Sequence, residues 1–253
     1  MLLTGTLPAL CGSLVPVMDA TKAMDTTEGG EDATGDYEML WEVVREGDRA
    51  TIEALLVGDE EHPPLGCSVD VMDNAGMSPL HWLVVEGHND VVEWIIDEVG
   101  ADVSLPDRQY GQTALHFAAS KDHANVAKQL LERHADPMAL DRGGWTPLHA
   151  AARAGSVEVV AVLLAILPPG GIDARGPRQH TPLHRAAFWG QTQVCTALVT
   201  AGADRGALDA DGREPVELLC RGARDRCNEV PTLMKLLRSP PPTYGGEAAG
   251  EAA

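Results

Sequence analysis

The sequence predicts an all-α solenoid of stacked helix-turn-helix units joined by β-turn fingers, and three observations predict it. A tetrapeptide recurs in phase: Ser78-Pro79-Leu80-His81, Thr113-Ala114-Leu115-His116, Thr146-Pro147-Leu148-His149 and Thr181-Pro182-Leu183-His184 start 35, 33 and 35 residues apart. Each copy is built to begin a helix, because Ser or Thr suits the N-cap and a proline at the first helical position loses no needed N–H. Each is followed by two apolar runs at helical spacing, split by a short polar reversal. A period of this length belongs to repeat arrays, in which every unit packs only on its neighbours.

Taken in order, residues 1–36 read as a disordered acidic leader. Met1 to Val17 is apolar but interrupted by Gly5, Pro8, Gly12 and Pro16, and it has no basic residue. It therefore fits neither a secretory signal nor a membrane span. Residues 18–36 are small, polar and acidic. The folded domain, 37–239, opens with helical patterns at Leu40 to Asp48 and Ile52 to Leu56. This pair lacks the Thr-Pro start and is expected to be an N-terminal cap with a wetted outer face. An acidic loop from Gly58 to Gly66 follows.

Four full units are expected over 73–106, 107–140, 141–175 and 176–208. The third shows the grammar. Thr146 caps, Leu148, Ala151 and Ala152 form one face, Gly155 ends the helix left-handed, and Val157 to Leu164 returns. A last unit, 209–239, carries the degraded tetrapeptide Glu214-Pro215-Val216-Glu217 and a return helix from near Pro231, and is expected to be a C-terminal cap. The tail, 240–253, starts with three prolines and reads as disordered. Some positions break the pattern. Asp122 stands where the inter-helix turn has glycine, and Gln179 replaces the turn glycine of the fourth unit. Gly170-Gly171 replaces Ala-Asp before that unit, so the junction of units three and four is expected to be looser.

The flanking letters extend the pattern. Asp-x-x-Gly precedes the tetrapeptide at Asp73, Asp141 and Asp209, and Gly-Ala-Asp follows the return helix at Gly100 and Gly202. With these flanks the repeat resembles the ankyrin repeat over residues 73–239. The resemblance implies an ankyrin repeat solenoid with N-terminal cap, four full repeats and C-terminal cap, and a non-catalytic scaffold, adaptor, inhibitor or assembly chaperone.

Composition narrows the function. The net charge is −19, with residues 1–72 carrying 15 acidic and 3 basic side chains. This opposes nucleic acid as the general partner. The five cysteines have no C-x-x-C spacing and read as reduced thiols of an intracellular protein, cytoplasmic or nuclear. The four tetrapeptide histidines would lie about 10 Å apart in stacked helices, too far to share a zinc ion bound at about 2 Å. Each is expected instead to bond a neighbouring turn. No hydrolase elbow, phosphate-cradling loop or H-E-x-x-H is present. No catalytic residue, metal, cofactor or small-molecule substrate is expected, and no membrane association.

What remains is surface. In ankyrin-like arrays the turn tips and the exposed side of the first helix form a concave groove. Mapped by motif, that groove carries Tyr110, Lys121, Arg142, Trp145, Arg153, Arg178, His180, Phe188, Trp189 and Arg213. Trp145 and Trp189 are expected to be exposed, whereas Trp82 and Phe117, in the slot after the histidine, are expected to bury against the adjacent repeat. A basic, aromatic strip on an acidic protein suits an acidic, extended protein segment bearing apolar anchors. The protein is expected to be monomeric by itself. Two alternatives stand beside this reading: a regulatory or assembly-chaperone subunit of an enzyme complex, and nucleic-acid binding through Arg221, Arg224 and Arg226, which Asp225 interrupts.

Overall fold

The computed structural model describes residues 38–58, 66–222 and 230–238. The acidic leader, most of the 58–66 loop, the 240–253 tail, Arg224 and Arg226 lie outside the described residues. The described residues form eleven α-helices and no strand. Helices α1 (Glu38–Glu46) and α2 (Arg49–Leu56) pair first. Four pairs then follow. These are α3 (Pro79–Glu86) with α4 (Asn89–Trp94), α5 (Ala114–Lys121) with α6 (Ala124–Glu132), α7 (Pro147–Ala154) with α8 (Val157–Leu164), and α9 (Pro182–Trp189) with α10 (Thr192–Thr200). Helix α4 runs on as a π-helical turn, Ile95–Val99. The degraded tetrapeptide forms only a short 3₁₀ turn, Pro215–Leu218, and α11 (Val230–Arg238) returns behind it. Proline at position 215 still suits a helix start, but Glu214 and Glu217 supply no imidazole to tie that start to a following turn.

The core is a continuous seam of small and branched aliphatics. Leu80, Leu83, Leu115, Leu130, Leu148, Leu163, Leu183 and Leu198 are essentially inaccessible, and Ala118, Ala119, Ala151, Ala152, Ala186 and Ala187 are buried between the first helices. Alanine on these faces lets consecutive first helices approach closely.

Each histidine does two things. In its own unit, Nδ1 accepts the backbone N–H of the N-cap residue, at 3.0 Å from Ser78, 3.2 Å from Thr113, 3.3 Å from Thr146 and 3.2 Å from Thr181. The imidazole thus fills the role that glutamate has in a capping box. At the other end of the ring, Nε2–H donates to a carbonyl of the next finger. His81 reaches Leu105 at 3.0 Å, His116 reaches Trp145 at 3.0 Å, His149 reaches His180 at 3.0 Å, and His184 reaches Arg213 at 3.1 Å. A carbonyl can only accept and an N–H can only donate, so these partners fix the neutral Nε2–H tautomer. Desolvation lowers the pKa of all four, that of His149 to about 4.

A second set of ties joins the inter-helix turns. His88 Nε2 donates to the Arg45 carbonyl at 2.8 Å, His123 Nε2 to Val85 at 3.3 Å, and Gln191 Nε2 to Arg153 at 3.1 Å. The turn glycine ahead makes room for each. A Cβ on Gly87 would lie 2.9 Å from the His123 ring, and one on Gly155 would lie 2.5 Å from Gln191 Oε1. At the remaining junction both members change together. Asp122, at φ 60°, stands in place of the turn glycine, Ser156 stands at the position of His or Gln in the next unit, and Asp122 Oδ1 accepts the Val159 N–H at 3.1 Å. The non-glycine turn of the second unit therefore caps a helix of the third.

The cysteine expectation is corrected at one position. Cys67 and Cys195 are free, and burial pushes the Cys195 thiol up to about 12. Cys220 is disulfide-bonded; no C-x-x-C spacing signals this bond in the sequence.

Leu148 is fully buried and Glu86 is exposed. Leu148→Ala is expected to cost roughly 2–5 kcal/mol in urea unfolding, and Glu86→Ala under about 0.5 kcal/mol. The pH dependence follows from the histidines. Their folded pKa values lie below the unfolded value of about 6.5, so the unfolded chain binds more protons as pH falls. Their contribution is complete above about pH 6.5 and is lost as pH falls toward the folded values, about 4 at His149. His149→Gln is expected to cost roughly 1–3 kcal/mol at pH 7.5 by stranding buried partners, and to flatten the loss of urea midpoint between pH 6.5 and 4.

Candidate functional site: an aromatic and arginine-lined cavity in the groove

A cavity of about 880 Å³ opens beside the first helices of the third and fourth pairs. Its wall includes Trp145, Arg153, His180, Phe188 and Trp189, five of the ten groove residues expected from sequence. It also includes Gln112 and Ser120, which the motif maps to the groove without singling them out, and residues the sequence reading missed: Arg185, Asp141, Gln191 and Gly222.

The cavity lies where the fingers depart from their own rule. Elsewhere a backbone bond links successive fingers: Arg108 N–H to Gly76 at 2.9 Å, Arg142 N–H to Tyr110 at 2.8 Å, and Ala210 N–H to Arg178 at 2.8 Å. The equivalent donor between the third and fourth fingers would be residue 177, which is proline and has no N–H. The finger bond is missing at that junction.

An indole takes the place of that bond. Where the other fingers carry Asp73, Asp107, Asp141 and Asp209, the fourth carries Gly176, and a Cβ there would lie 2.7 Å from Trp145 Cε3. The Trp145 ring rests on this bare backbone. It meets His149 edge-on at 5.3 Å and His180 at 6.4 Å, and the Arg185 guanidinium covers it at 3.8 Å from the ring centroid. Trp145 is thus half-buried, which corrects the expectation of an exposed ring. Trp189 is half-buried too, with Phe188 edge-on at 5.6 Å and Arg153 above it at 5.4 Å. Trp82 and Phe117 behave alike in the slot after the histidine. Trp82 lies under Arg45 at 4.1 Å and Phe117 lies against His81 at 5.4 Å, each on the preceding unit.

The fourth finger is also conformationally costly. Arg178 and Gln179 both sit at positive φ, 56° and 60°, a region that few non-glycine residues enter. Backbone held this way is over-determined by its surroundings, and such positions cluster at functional sites.

The other five expected groove residues lie off the cavity wall. Arg142 Nη1 donates to the Arg108 and Gln109 carbonyls and staples two fingers. Arg178 pairs with Asp211 at 2.5 Å, and Arg213 pairs with Asp209 at 2.8 Å and with Asp211 at 2.5 Å. Burial raises the Asp209 carboxyl, but N–H groups of Arg213 and Asp211 and the Arg213 guanidinium outweigh it and hold the group well below the usual carboxylate range. Tyr110 is exposed and accepts a bond from Gln109, and Lys121 is exposed at the end of α5. Arg178 and Arg213 therefore neutralise neighbouring acids and Arg142 is taken up by backbone carbonyls, while the positive charge at the cavity comes from Arg153 and Arg185. Among the described residues no cluster of three His, Cys, Asp or Glu side chains could hold a metal ion.

Stacked helix pairs, finger turns and the histidine ties define an ankyrin-type array, and comparison with known proteins agrees. The family model for ankyrin repeats (three copies) matches residues 40–141 and 135–209. The chain belongs to the ankyrin repeat family. It is similar to human inversin, 31% identical over 170 residues, a match that covers 67% of this chain and 15% of inversin. Mouse NF-kappa-B inhibitor alpha is 32% identical over 140 residues, covering 53% of this chain and 45% of that protein. The palmitoyltransferase AKR1 of Lachancea kluyveri is 27% identical over 174 residues, covering 68% of this chain and 23% of that protein. The chain thus spans 15% of the length of the inversins it matches.

Gly176→Ala would place a methyl group against Trp145. It is expected to cost about 1–3 kcal/mol, as overpacking does, and to red-shift tryptophan emission as the indole is pushed toward water. Unchanged emission and melting would show that the ring does not need the glycine.

Proposed function

We propose that this chain is a protein-interaction module that takes its partner, as an extended acidic segment with apolar anchors, in the concave groove around Trp145 and Trp189. The observation that carries the reading is the cavity itself. It is large, aromatic and arginine-lined, and it lies where the array forgoes a finger bond and a turn aspartate. Large rings beside arginines, partly desolvated and central to a concave face, have the composition of interface hot spots. Loss of local rules concentrated at one place is what functional sites produce.

The groove residues Tyr110, Lys121, Arg142, Arg178 and Arg213 would form the rim, steering an acidic partner more than holding it. The role is non-catalytic, and a one-partner regulator is preferred to a bridging adaptor. The name NF-kappa-B inhibitor alpha describes a relative that acts on another protein, which favours the regulator. A regulatory or assembly subunit of an enzyme complex is the second reading. It differs in requiring co-purification with one enzyme at fixed stoichiometry. An intracellular location goes with either reading; among the described residues no helix is long and apolar enough to cross a membrane.

Affinity purification with wild type beside a Trp145→Ala/Trp189→Ala variant tests this. A partner held by wild type is expected to fall at least about tenfold with the variant, since truncating a hot spot costs 2 kcal/mol or more. Urea unfolding of the variant checks that the array persists. Equal recovery of every partner from a folded variant would sink the groove.

A further inference from the structure

Arg185 and Arg153 are arranged unlike the other groove arginines. Neither side chain makes an ion pair or a hydrogen bond with a described residue, whereas Arg142, Arg178 and Arg213 each make one or the other. Each lies over the face of an indole, Arg185 on Trp145 at 3.8 Å and Arg153 on Trp189 at 5.4 Å. Stacking occupies the face of a guanidinium and leaves its in-plane N–H groups to bind something else. The Nε of Arg185 is buried and has no hydrogen-bond partner. Burial and then the nearby Arg153 charge lower the Arg185 pKa to about 10, so the two cations are close enough to oppose each other. Both line the cavity.

We propose that Arg153 and Arg185 form an oxyanion site that takes one carboxylate, an Asp or Glu side chain of the partner segment, across the two indole-backed guanidiniums. This rests on the groove reading above and names the chemistry at its centre. A planar carboxylate matches the planar fork of arginine and can take two parallel N–H bonds. It would offset the repulsion between the two cations. A monoanion fits the local charge better than a phosphate dianion. Asp141 is also on the wall, with Oδ1 accepting the Trp145 N–H at 2.9 Å and Oδ2 facing Gln112 Nε2 at 3.5 Å, and its charge opposes a second negative charge. His180, also on the wall, stacks on His184 and lies 3.4 Å from Asp209, so that aspartate stands next to the cavity as well. Phe188, Trp189 and Ala150 give the residues flanking the carboxylate an apolar bed.

The probes are two tripeptides, acetyl-Leu-Glu-Leu-amide and its isosteric twin acetyl-Leu-Gln-Leu-amide, titrated into the full chain. The indole N–H signals of Trp145 and Trp189 and the Nε–H of Arg185 are followed by NMR. The glutamate peptide is expected to bind about tenfold or more tighter than the glutamine peptide, as charge-assisted, bidentate bonds require. Arg153→Met and Arg185→Met should each remove that preference. Arg153 is exposed, so its variant keeps the test valid if Arg185→Met fails to fold. Equal binding of the two peptides would overturn the carboxylate site and leave the groove standing. Saturation by inorganic phosphate at lower concentration than by acetate would overturn the choice of carboxylate. No movement of the three signals with either peptide or with excess acetate would overturn the oxyanion site, while the tryptophan variant still judges the groove separately.

Discussion

The array depends on a bond between a buried neutral imidazole and a carbonyl one repeat away. A helix start exposes N–H groups that need acceptors, and a finger turn exposes carbonyls that need donors. One histidine serves both at once, through Nδ1 and Nε2, and it can do so only while uncharged. Burial keeps it uncharged, and the bond keeps the next unit in place to maintain the burial. Packing and protonation are therefore one condition in this chain, which links an aliphatic core to acid sensitivity. The 3₁₀ turn at Pro215–Leu218 shows the converse. There the tetrapeptide has glutamates in place of Thr and His, and the full first helix does not form.

The groove shows how a repeat protein makes one place different. Three changes in the fourth finger act together. Gly176 removes a side chain, Pro177 removes a donor, and Gln179 brings a left-handed residue with a Cβ where glycine is the rule. Each alone would weaken the junction. Trp145 rests on the backbone that Gly176 leaves bare, and that ring in turn carries Arg185. Stability given up in backbone bonds is partly recovered through the stacked aromatic and guanidinium groups.

The fold was legible because its determinants are local. Thr-Pro-Leu-His contains the cap, the first helical residue, a core side chain and the tie, so finding it in phase is enough to place the first helices of the four full units. The site was only half legible. Trp145, Phe188 and Trp189 could be found as large rings at groove positions, but their depth could not, because each lies against a distant glycine, Trp145 against Gly176 and the other two against Gly222. Arg178 looked like a free cation, because Asp211 approaches it only once the fingers stack, whereas the partners of Arg213, Asp209 and Asp211, lie in its own turn and were overlooked. Arg185 was missed, although the slot that it shares with Trp82 and Phe117 was already read as packing on an adjacent repeat. Applying that slot rule to a charged residue would have placed its guanidinium on Trp145.

The inter-helix turns impose a pairing rule on any rearrangement of this chain. Gly47, Gly87 and Gly155 face His88, His123 and Gln191, whereas Asp122 bonds the Val159 N–H at the start of α8. The units are not interchangeable bricks, because each turn is shaped for the residue that the following unit presents to it. Moving the third unit behind a glycine turn would strip α8 of the carboxylate that caps it, and placing a histidine-bearing unit behind Asp122 would set a ring against a carboxylate side chain. Duplication or shuffling of repeats in such a lineage would have to carry junctions, rather than units, as its heritable pieces.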